Sequence, residues 1–206
     1  ALLQGLVDQV EGDVLFLYWQ VTRGVGMRGH AYRFAGGTPS LWVWVKPDML
    51  DPMDRSYKAI TMEDTRYFHC DIKTINLLPA VIYTQRAEEA GCDETILHRG
   101  ERVTECSHSN VHILKNGTLY TAPCDELILP GITRAHILNI CRQNGIPVVE
   151  EPFTLEEMME ADEIFFTSAS ALCCRIEEID GQKVGGRDPE RIARIQKAAW
   201  NEALEE

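Results

Sequence analysis

Lys73 lies in the stretch Phe68-His69-Cys70-Asp71-Ile72-Lys73-Thr74-Ile75-Asn76-Leu77-Leu78, where apolar residues outnumber charges. An ammonium in a partly apolar setting loses proton affinity, because burial penalises its charged form. A lysine so placed can attack a carbonyl and form a Schiff base. The same lysine at an exposed strand end is an ordinary surface cation. Glu105 stands in Val103-Thr104-Glu105-Cys106-Ser107-His108-Ser109-Asn110, a carboxylate among short hydroxyl side chains. Such a group can accept a hydrogen bond from a protonated ring nitrogen, or simply face water. Leu129-Pro130-Gly131-Ile132-Thr133-Arg134 runs from a loop into a helical pattern. Free N–H groups at that helix start suit a phosphate, although Thr133 near the cap also fits an ordinary helix start. In a glycine-rich stretch, Arg28-Gly29-His30 offers a guanidinium fork and an imidazole to a carboxylate. A basic loop with no partner reads the same way.

Other chemistries lack their patterns. The histidines show no H-E-x-x-H spacing, so no metal is expected. Gly24-x-Gly26 fails the dinucleotide spacing, and no helix follows it. Ser107 and Ser109 lack the G-x-S-x-G context of a hydrolase nucleophile. The formal net charge of −12 argues against nucleic acid, which calls for a basic face. No apolar run approaches the ~20 residues of a membrane span, and no signal-peptide pattern opens the chain. Seven cysteines, an odd number without a C-x-x-C pair, predict reduced thiols and a cytoplasmic protein.

The elements that must position these residues follow from periodicity and turn chemistry. Residues 1–10 predict a helix that begins without a cap, so sequence is expected to precede it. Strands are expected at Asp13–Thr22 and Leu41–Lys46, around the loop Arg23–Ser40. Residues 47–56, rich in proline and aspartate, read as a linker and place a domain boundary near 48. A small α/β domain (1–47) then precedes a large one (48–206). In the second, a strand is expected at Tyr57–Glu63, and a helix over 75–90 that stops at Gly91. Asn116-Gly117 predicts a tight hairpin. A helix at Thr133–Asn144 ends at Gly145, and Thr154-x-x-Glu157 is a capping-box pattern. Glu163–Ser168 predicts a strand and Asp180-Gly181 another hairpin. After Asp188-Pro189, a terminal helix carries Ile192, Ile195, Ala199 and Ala203 on one face. The class is α+β, with strands outnumbering helices.

Taken together, four ordered segments resemble the fold-type IV pyridoxal-phosphate (PLP) enzymes. They are Asp71-Ile72-Lys73-Thr74-x-Asn76, Thr104-Glu105-x-x-x-Ser109-Asn110, Leu129-x-Gly131-Ile132-Thr133-Arg134 and Phe166-Thr167-Ser168. That family comprises D-amino-acid, branched-chain and R-amine transaminases and aminodeoxychorismate lyase. The resemblance implies that Lys73 carries PLP and moves a proton on the substrate, and that Glu105 holds the pyridine nitrogen protonated. It also implies that Leu129 packs on the ring. Gly131, Ile132 and Thr133 hold the phosphate at the helix start, with Ser168 nearby. Ser107, His108 and Ser109 lie at the ring's other face. Ala169 stands where the family often has a phosphate-binding hydroxyl, and His108 where it has a small polar residue.

Arg28-x-His30, preceded by Val21-Thr22-Arg23-Gly24, resembles the D-amino-acid aminotransferase group. There, an Arg-x-His pair borrowed across a homodimer interface takes the substrate carboxylate. This implies transamination between a D-amino acid such as D-alanine and a 2-oxo acid such as 2-oxoglutarate. A branched-chain aminotransferase, aminodeoxychorismate lyase or an inactive PLP-binding scaffold remain as alternatives. The resemblance further implies a preceding segment, truncated here, that supplies an arginine to the phosphate and a tyrosine to the substrate pocket.

Overall fold

The computed structural model describes residues 1–27, 29–31, 38–49 and 52–205. The chain divides into two compact units, Ala1–Leu50 and Asp51–Glu206.

The first unit holds helix α1 (Leu2–Val7) and strands β1 (Leu15–Thr22) and β2 (Ser40–Pro47). β1 and β2 pair antiparallel in one register, from Leu15 opposite Pro47 to Thr22 opposite Ser40. The aromatic and β-branched content of both segments accounts for the pairing. Tyr18 and Phe16 pack on Trp44 across the ribbon. Trp19, Val21, Leu41 and Trp42 are exposed. α1 is shorter than the helix expected over 1–10, because the chain turns at Asp8–Val10.

The second unit begins with β3 (Ser56–Glu63), α2 (Leu78–Glu89), β4 (Glu94–Arg99), β5 (Arg102–Cys106) and β6 (Asn110–Lys115). It continues through β7 (Thr118–Thr121), α3 (Ile132–Gln143), β8 (Val148–Glu150) and α4 (Leu155–Met159). β9 (Glu163–Ser168), β10 (Leu172–Ile179), β11 (Gln182–Lys183) and α5 (Pro189–Glu205) complete it. The strands form one nine-stranded mixed sheet, in the order β5-β4-β3-β10-β9-β6-β7-β8 with β11 on β10. β3 runs parallel to β4 and to β10, and β7 parallel to β8; the other pairs are antiparallel. Between β5 and β6 the chain turns over 107–109, where the Cys106 amide donates to the Ser109 carbonyl at 2.7 Å. The end strand thus runs directly into the sheet interior, and the sheet curls.

Both faces of the central strands are buried. Ile164 and Phe166 of β9 join one core with Tyr57, Ile96, Val111 and Ile176. Phe165 points the other way, into a core with Leu114, Ile137, Ile192 and Ile195 from β6, α3 and α5. Each such side chain, fully buried, stabilises by roughly 1.5–3 kcal/mol. Strands covered on both sides read as apolar runs rather than as alternation.

Local signals met their elements closely. Asn116 and Gly117 have φ of 51° and 76°, the paired left-handed residues of a type I′ hairpin. Thr154 and Glu157 form the reciprocal capping box. β9 spans the six residues expected. α2 starts at Leu78, with Pro79 in its first turn where the missing N–H costs nothing. Ala203 is exposed while Ile192, Ile195 and Ala199 are buried, so the apolar face of α5 ends a turn early. The Asp180-Gly181 hairpin joins β10 to β11, with φ of 49° and 75°; strands β4, β5 and β8 were not anticipated.

Candidate active site

The curled edge gathers the polar residues. β5 delivers Glu105, the turn after it Ser107, His108 and Ser109, and the start of β6 Asn110. Asn110 lies opposite Thr167 in the register of β6 with β9, which puts Ser168 at the same end of the sheet. The segment before α3 then crosses this end. The Leu129 amide donates to Glu105 Oε2 at 3.0 Å, and Asn110 Nδ2 donates to Glu105 Oε2 at 3.1 Å and to the Leu129 carbonyl at 2.9 Å. Gly131 is needed here: a Cβ would meet Asn110 Oδ1 at 2.2 Å. Gly131 is also the N-cap of α3 and makes no side-chain cap, so the first-turn amides of Ile132 and Thr133 lack that partner. The cap expected near Thr133 is therefore absent, and the helix start presents bare N–H groups.

Glu105 is buried, yet its other oxygen takes a hydrogen bond from Arg66 Nη1 at 2.5 Å. Arg66 in turn clasps Asp64 with Nε to Oδ1 and Nη2 to Oδ2, both at 2.9 Å. Asp64 also accepts from Thr104 Oγ1 at 3.1 Å and Arg99 Nε at 3.3 Å. Burial pushes Asp64 up, but the Arg66 fork outweighs it and holds the carboxyl below its ordinary value. Arg66 also loses proton affinity to burial, but two carboxylates keep it charged and above its ordinary value. Burial pushes the Glu105 carboxyl up to about 7, against the opposing charge of Arg66 and the Leu129 amide. Among the described residues, the cation beside Glu105 is Arg66, which it shares with Asp64, so Glu105 is the member of the pair whose carboxyl is raised.

Ser107 and Ser109 are directed to a second buried carboxylate. Both hydroxyls donate to Glu94, Ser109 at 2.8 Å. His108 is exposed, with Nδ1 at 2.8 Å from Ser107 Oγ and 3.5 Å from Glu94 Oε2.

Lys73 lies in the loop between β3 and α2 and is exposed. The apolar neighbours that suggested a desolvated lysine (Ile72, Ile75, Leu77 and Leu78) are themselves exposed, so they form no pocket around it. The loop is nevertheless tied to the site's framework. The His69 and Cys70 amides donate to the Glu126 carbonyl at 3.3 and 2.9 Å, three residues before Leu129. Ser168 is half-buried and Ala169 exposed; Ser168 Oγ accepts from the Ala171 amide at 3.2 Å. His30, in the first unit, is exposed, and Arg28 lies outside the described residues. Sequence reasoning passed over Asp64, Arg66, Arg99 and Glu94; the only signal for the first two was Asp64-Thr65-Arg66 just past a strand end.

The amino-transferase class IV family profile matches residues 1–179. The chain is 40% identical over 207 residues to a D-alanine aminotransferase of Bacillus licheniformis, covering 99% of this chain and 73% of that one. The chain belongs to the class IV aminotransferase family. A D-alanine aminotransferase of Listeria innocua is 43% identical over 197 residues, covering 92% of this chain and 68% of that protein. Among solved structures, the branched-chain amino acid aminotransferase from Escherichia coli superposes with a TM-score of 0.77 at 25% identity, covering 91% of this chain and 63% of that one.

The cofactor of this aminotransferase is PLP. PLP asks for an acceptor facing its ring nitrogen, an anion site for its phosphate and a primary amine for its aldehyde. The described residues offer all three: the buried Glu105 carboxylate, the uncapped start of α3, and Lys73 on a loop pinned beside them. Gly131 supplies the close approach that lets Asn110 steady Glu105. The donor set fits the group. No helix of the described residues is long and apolar enough to cross a membrane.

Proposed function

We propose that this chain carries the catalytic lysine and the cofactor site of a PLP-dependent transaminase acting on a D-amino acid such as D-alanine and a 2-oxo acid such as 2-oxoglutarate. The observation behind it is the buried Glu105, held by Arg66, Asn110 and the Leu129 amide at the edge where the uncapped α3 begins. The likeness to a D-alanine aminotransferase over 99% of the chain, and to a second over 92%, supports the substrate class.

Bound PLP supplies an electron sink for the pair released when the substrate Cα loses its proton. Lys73 would hold the cofactor, and its amine would take the proton from the substrate Cα and deliver it to C4′ of the cofactor, across the intervening nitrogen. The Glu105 carboxylate holds a proton on the ring nitrogen. The Ile132 and Thr133 amides, with Ser168, take the phosphate at the positive end of α3. Leu129 covers the ring, and Ser107, His108, Ser109 and Ala169 border it. Arg28 and His30, contributed by a second copy, take the substrate carboxylate and so select its configuration.

The working form is a cytoplasmic homodimer. Its support is the exposed apolar run Tyr67, Phe68, Ile72, Ile75, Leu77, Leu78, Val81 and Ile82 around Lys73, a surface that a second copy would cover. All seven cysteines are free thiols, in keeping with a reducing compartment. Residues 1–47 belong to a small domain and 48–206 to the PLP-binding domain.

The test is a visible absorption spectrum after PLP is added and the protein desalted, then borohydride reduction and peptide mapping. A stable band fixed at Lys73, with pyruvate formed from D-alanine and 2-oxoglutarate, is the expected result. A lysine-linked PLP band that persists in Lys73→Ala would overturn the assignment. A PLP-loaded chain that forms no pyruvate would leave the scaffold alternative standing. Activity with D-alanine that survives Arg28→Ala would overturn the carboxylate role of Arg28.

A further inference from the structure

Glu105 is a carboxylate with about four lone-pair directions. Three are taken: Oε2 accepts from the Leu129 amide and Asn110 Nδ2, and Oε1 accepts from Arg66 Nη1. One direction remains, on Oε1. Arg66 has five N–H donors. Two go to Asp64 through Nε and Nη2, a third to the Leu127 carbonyl from Nη2 at 3.1 Å, and a fourth to Glu105. Its side chain is only 13% exposed and its backbone carbonyl accepts from Arg99 Nη2 at 2.7 Å. The guanidinium can neither swing to water nor leave Glu105 without breaking the clasp on Asp64.

We propose that Arg66, locked by Asp64, is a positioning residue that fixes the orientation and the negative charge of Glu105 toward a ring nitrogen. This rests on the reading of Glu105 given above and assigns a role to two residues outside the family's cofactor contacts named so far. With Arg66 the Glu105 carboxyl already titrates at about 7; without that cation its midpoint would lie higher, and in neutral solution the group would be protonated and a donor to a ring nitrogen. With Arg66 but without Asp64, a bare cation beside the ring nitrogen would oppose its protonation. Asp64 neutralises that cation, so Glu105 retains the charge that the ring nitrogen meets. Arg99 and Thr104 steady Asp64 from β4 and β5. The other titratable group in this field is the Cys70 thiol, pushed up by its own burial. Lone-pair geometry and charge balance thus point the same way.

The experiment follows Glu105 itself. In the full chain without PLP, the infrared band of its protonated carboxyl, assigned by its loss in Glu105→Gln, is titrated with pH. Arg66→Gln is expected to move the midpoint upward by about one pH unit or more, a tenfold change in the ionised fraction. Arg66→Lys keeps a charge and is expected to restore most of the shift. Should Arg66→Gln fold poorly, Asp64→Asn/Arg66→Gln leaves the net charge of the cluster unchanged and is expected to show a smaller rise, because the Asp64 charge that also raises Glu105 is removed with it. An unmoved midpoint in the folded variants would overturn the proposal. The second readout is the 15N signal of PLP labelled at the ring nitrogen, bound to each variant. If Glu105→Gln leaves that signal unchanged, the reading of Glu105 falls, and the proposal with it. If Glu105→Gln moves it and Arg66→Gln does not, only the proposal falls. The expected result is that both move it, and that Arg66→Gln adds nothing in the Glu105→Gln background.

Discussion

Gly131→Ala tests the geometry of the site without touching a charged group. Gly131 has φ −65° and ψ 137°, extended backbone open to any residue, so alanine brings no backbone strain. The whole effect comes from the new methyl carbon, 2.2 Å from Asn110 Oδ1. The amide cannot turn round to escape. Its other side faces two acceptors, Glu105 Oε2 and the Leu129 carbonyl, which both require Nδ2. Relief needs a retreat of more than about 1 Å, which breaks contacts now at 3.1 and 2.9 Å. A hydrogen bond to a carboxylate contributes about 1.5–3 kcal/mol and a neutral one about 0.5–1.5. The expected loss is therefore about 2–4 kcal/mol, or roughly 5–15 °C in Tm for a chain of this size. Urea unfolding of the parent, Gly131→Ala, Asn110→Ala and the double variant measures it. Once Asn110 is alanine there is nothing left to strike, so adding Gly131→Ala should then cost little. A full 2–4 kcal/mol loss for Gly131→Ala in the Asn110→Ala background would refute the reasoning, because the methyl would then be acting elsewhere.

Three further outcomes follow. Thr154→Ala removes the capping box of α4, and the urea midpoint should fall by an amount worth about 1 kcal/mol. Glu105 has its carboxyl raised from 4.5 to about 7, so between those values the folded chain holds a proton that the unfolded chain releases. Its contribution to stability is lost as pH rises through that window, and Glu105→Gln should flatten this part of a stability–pH curve. His112, stacked on Phe165 and bonded to Thr167 Oγ1 at 2.9 Å, is pushed down from 6.5 to about 3, first by burial and then by the Arg134 charge. The unfolded chain takes up this proton and the folded chain refuses it, so stability is lost as pH falls from about 6.5 toward 3. His112→Gln should remove that acid slope, and an unchanged slope would assign it to other groups.

What could be read from the sequence was what is decided within a few residues. Asn116-Gly117 sets its own hairpin, Gly91 and Gly145 end their helices in the left-handed region, and Thr154 caps with Glu157. β4 escaped notice because it opens on buried Glu94, whose charge reads as surface until Ser107 and Ser109 arrive from a turn more than ten residues on. Asp180-Gly181 marks the hairpin that ends β10, but where the strand begins escaped notice because Cys173, Cys174 and Arg175 break the usual alternation. Arg175 is held by Glu163 of the neighbouring strand at 2.8 Å, a partner set by sheet order alone. β8 is three residues long and exists because β7 is there to pair with it.

The site divides in the same way. Glu105, Leu129 and Gly131 fall inside motifs and could be named, but the motifs do not say what holds a buried carboxylate and opposes its protonation. Asp64 and Arg66 are two apart just past β3, so both side chains leave the chain on one side and clasp each other locally. Read alone, they are a surface ion pair worth little. What converts them is Glu105, 39 residues away, brought alongside by β4 and β5. Lys73 presents the reverse case. Its apolar sequence neighbours suggested a desolvated amine, yet Ile72, Ile75 and Leu77 each stand more than half exposed. A lysine is desolvated by what packs against it from outside its own loop, and apolar spacing within the loop carries no information about that. The exposed run around Lys73 and the buried charge of Glu105 thus make different demands. Glu105 is prepared within the unit that contains it, whereas the environment of Lys73 must be completed by a surface that covers the loop. Borohydride trapping at Lys73 should therefore depend on protein concentration if a second copy supplies that cover. Trapping that is independent of dilution would assign the cover to the chain itself.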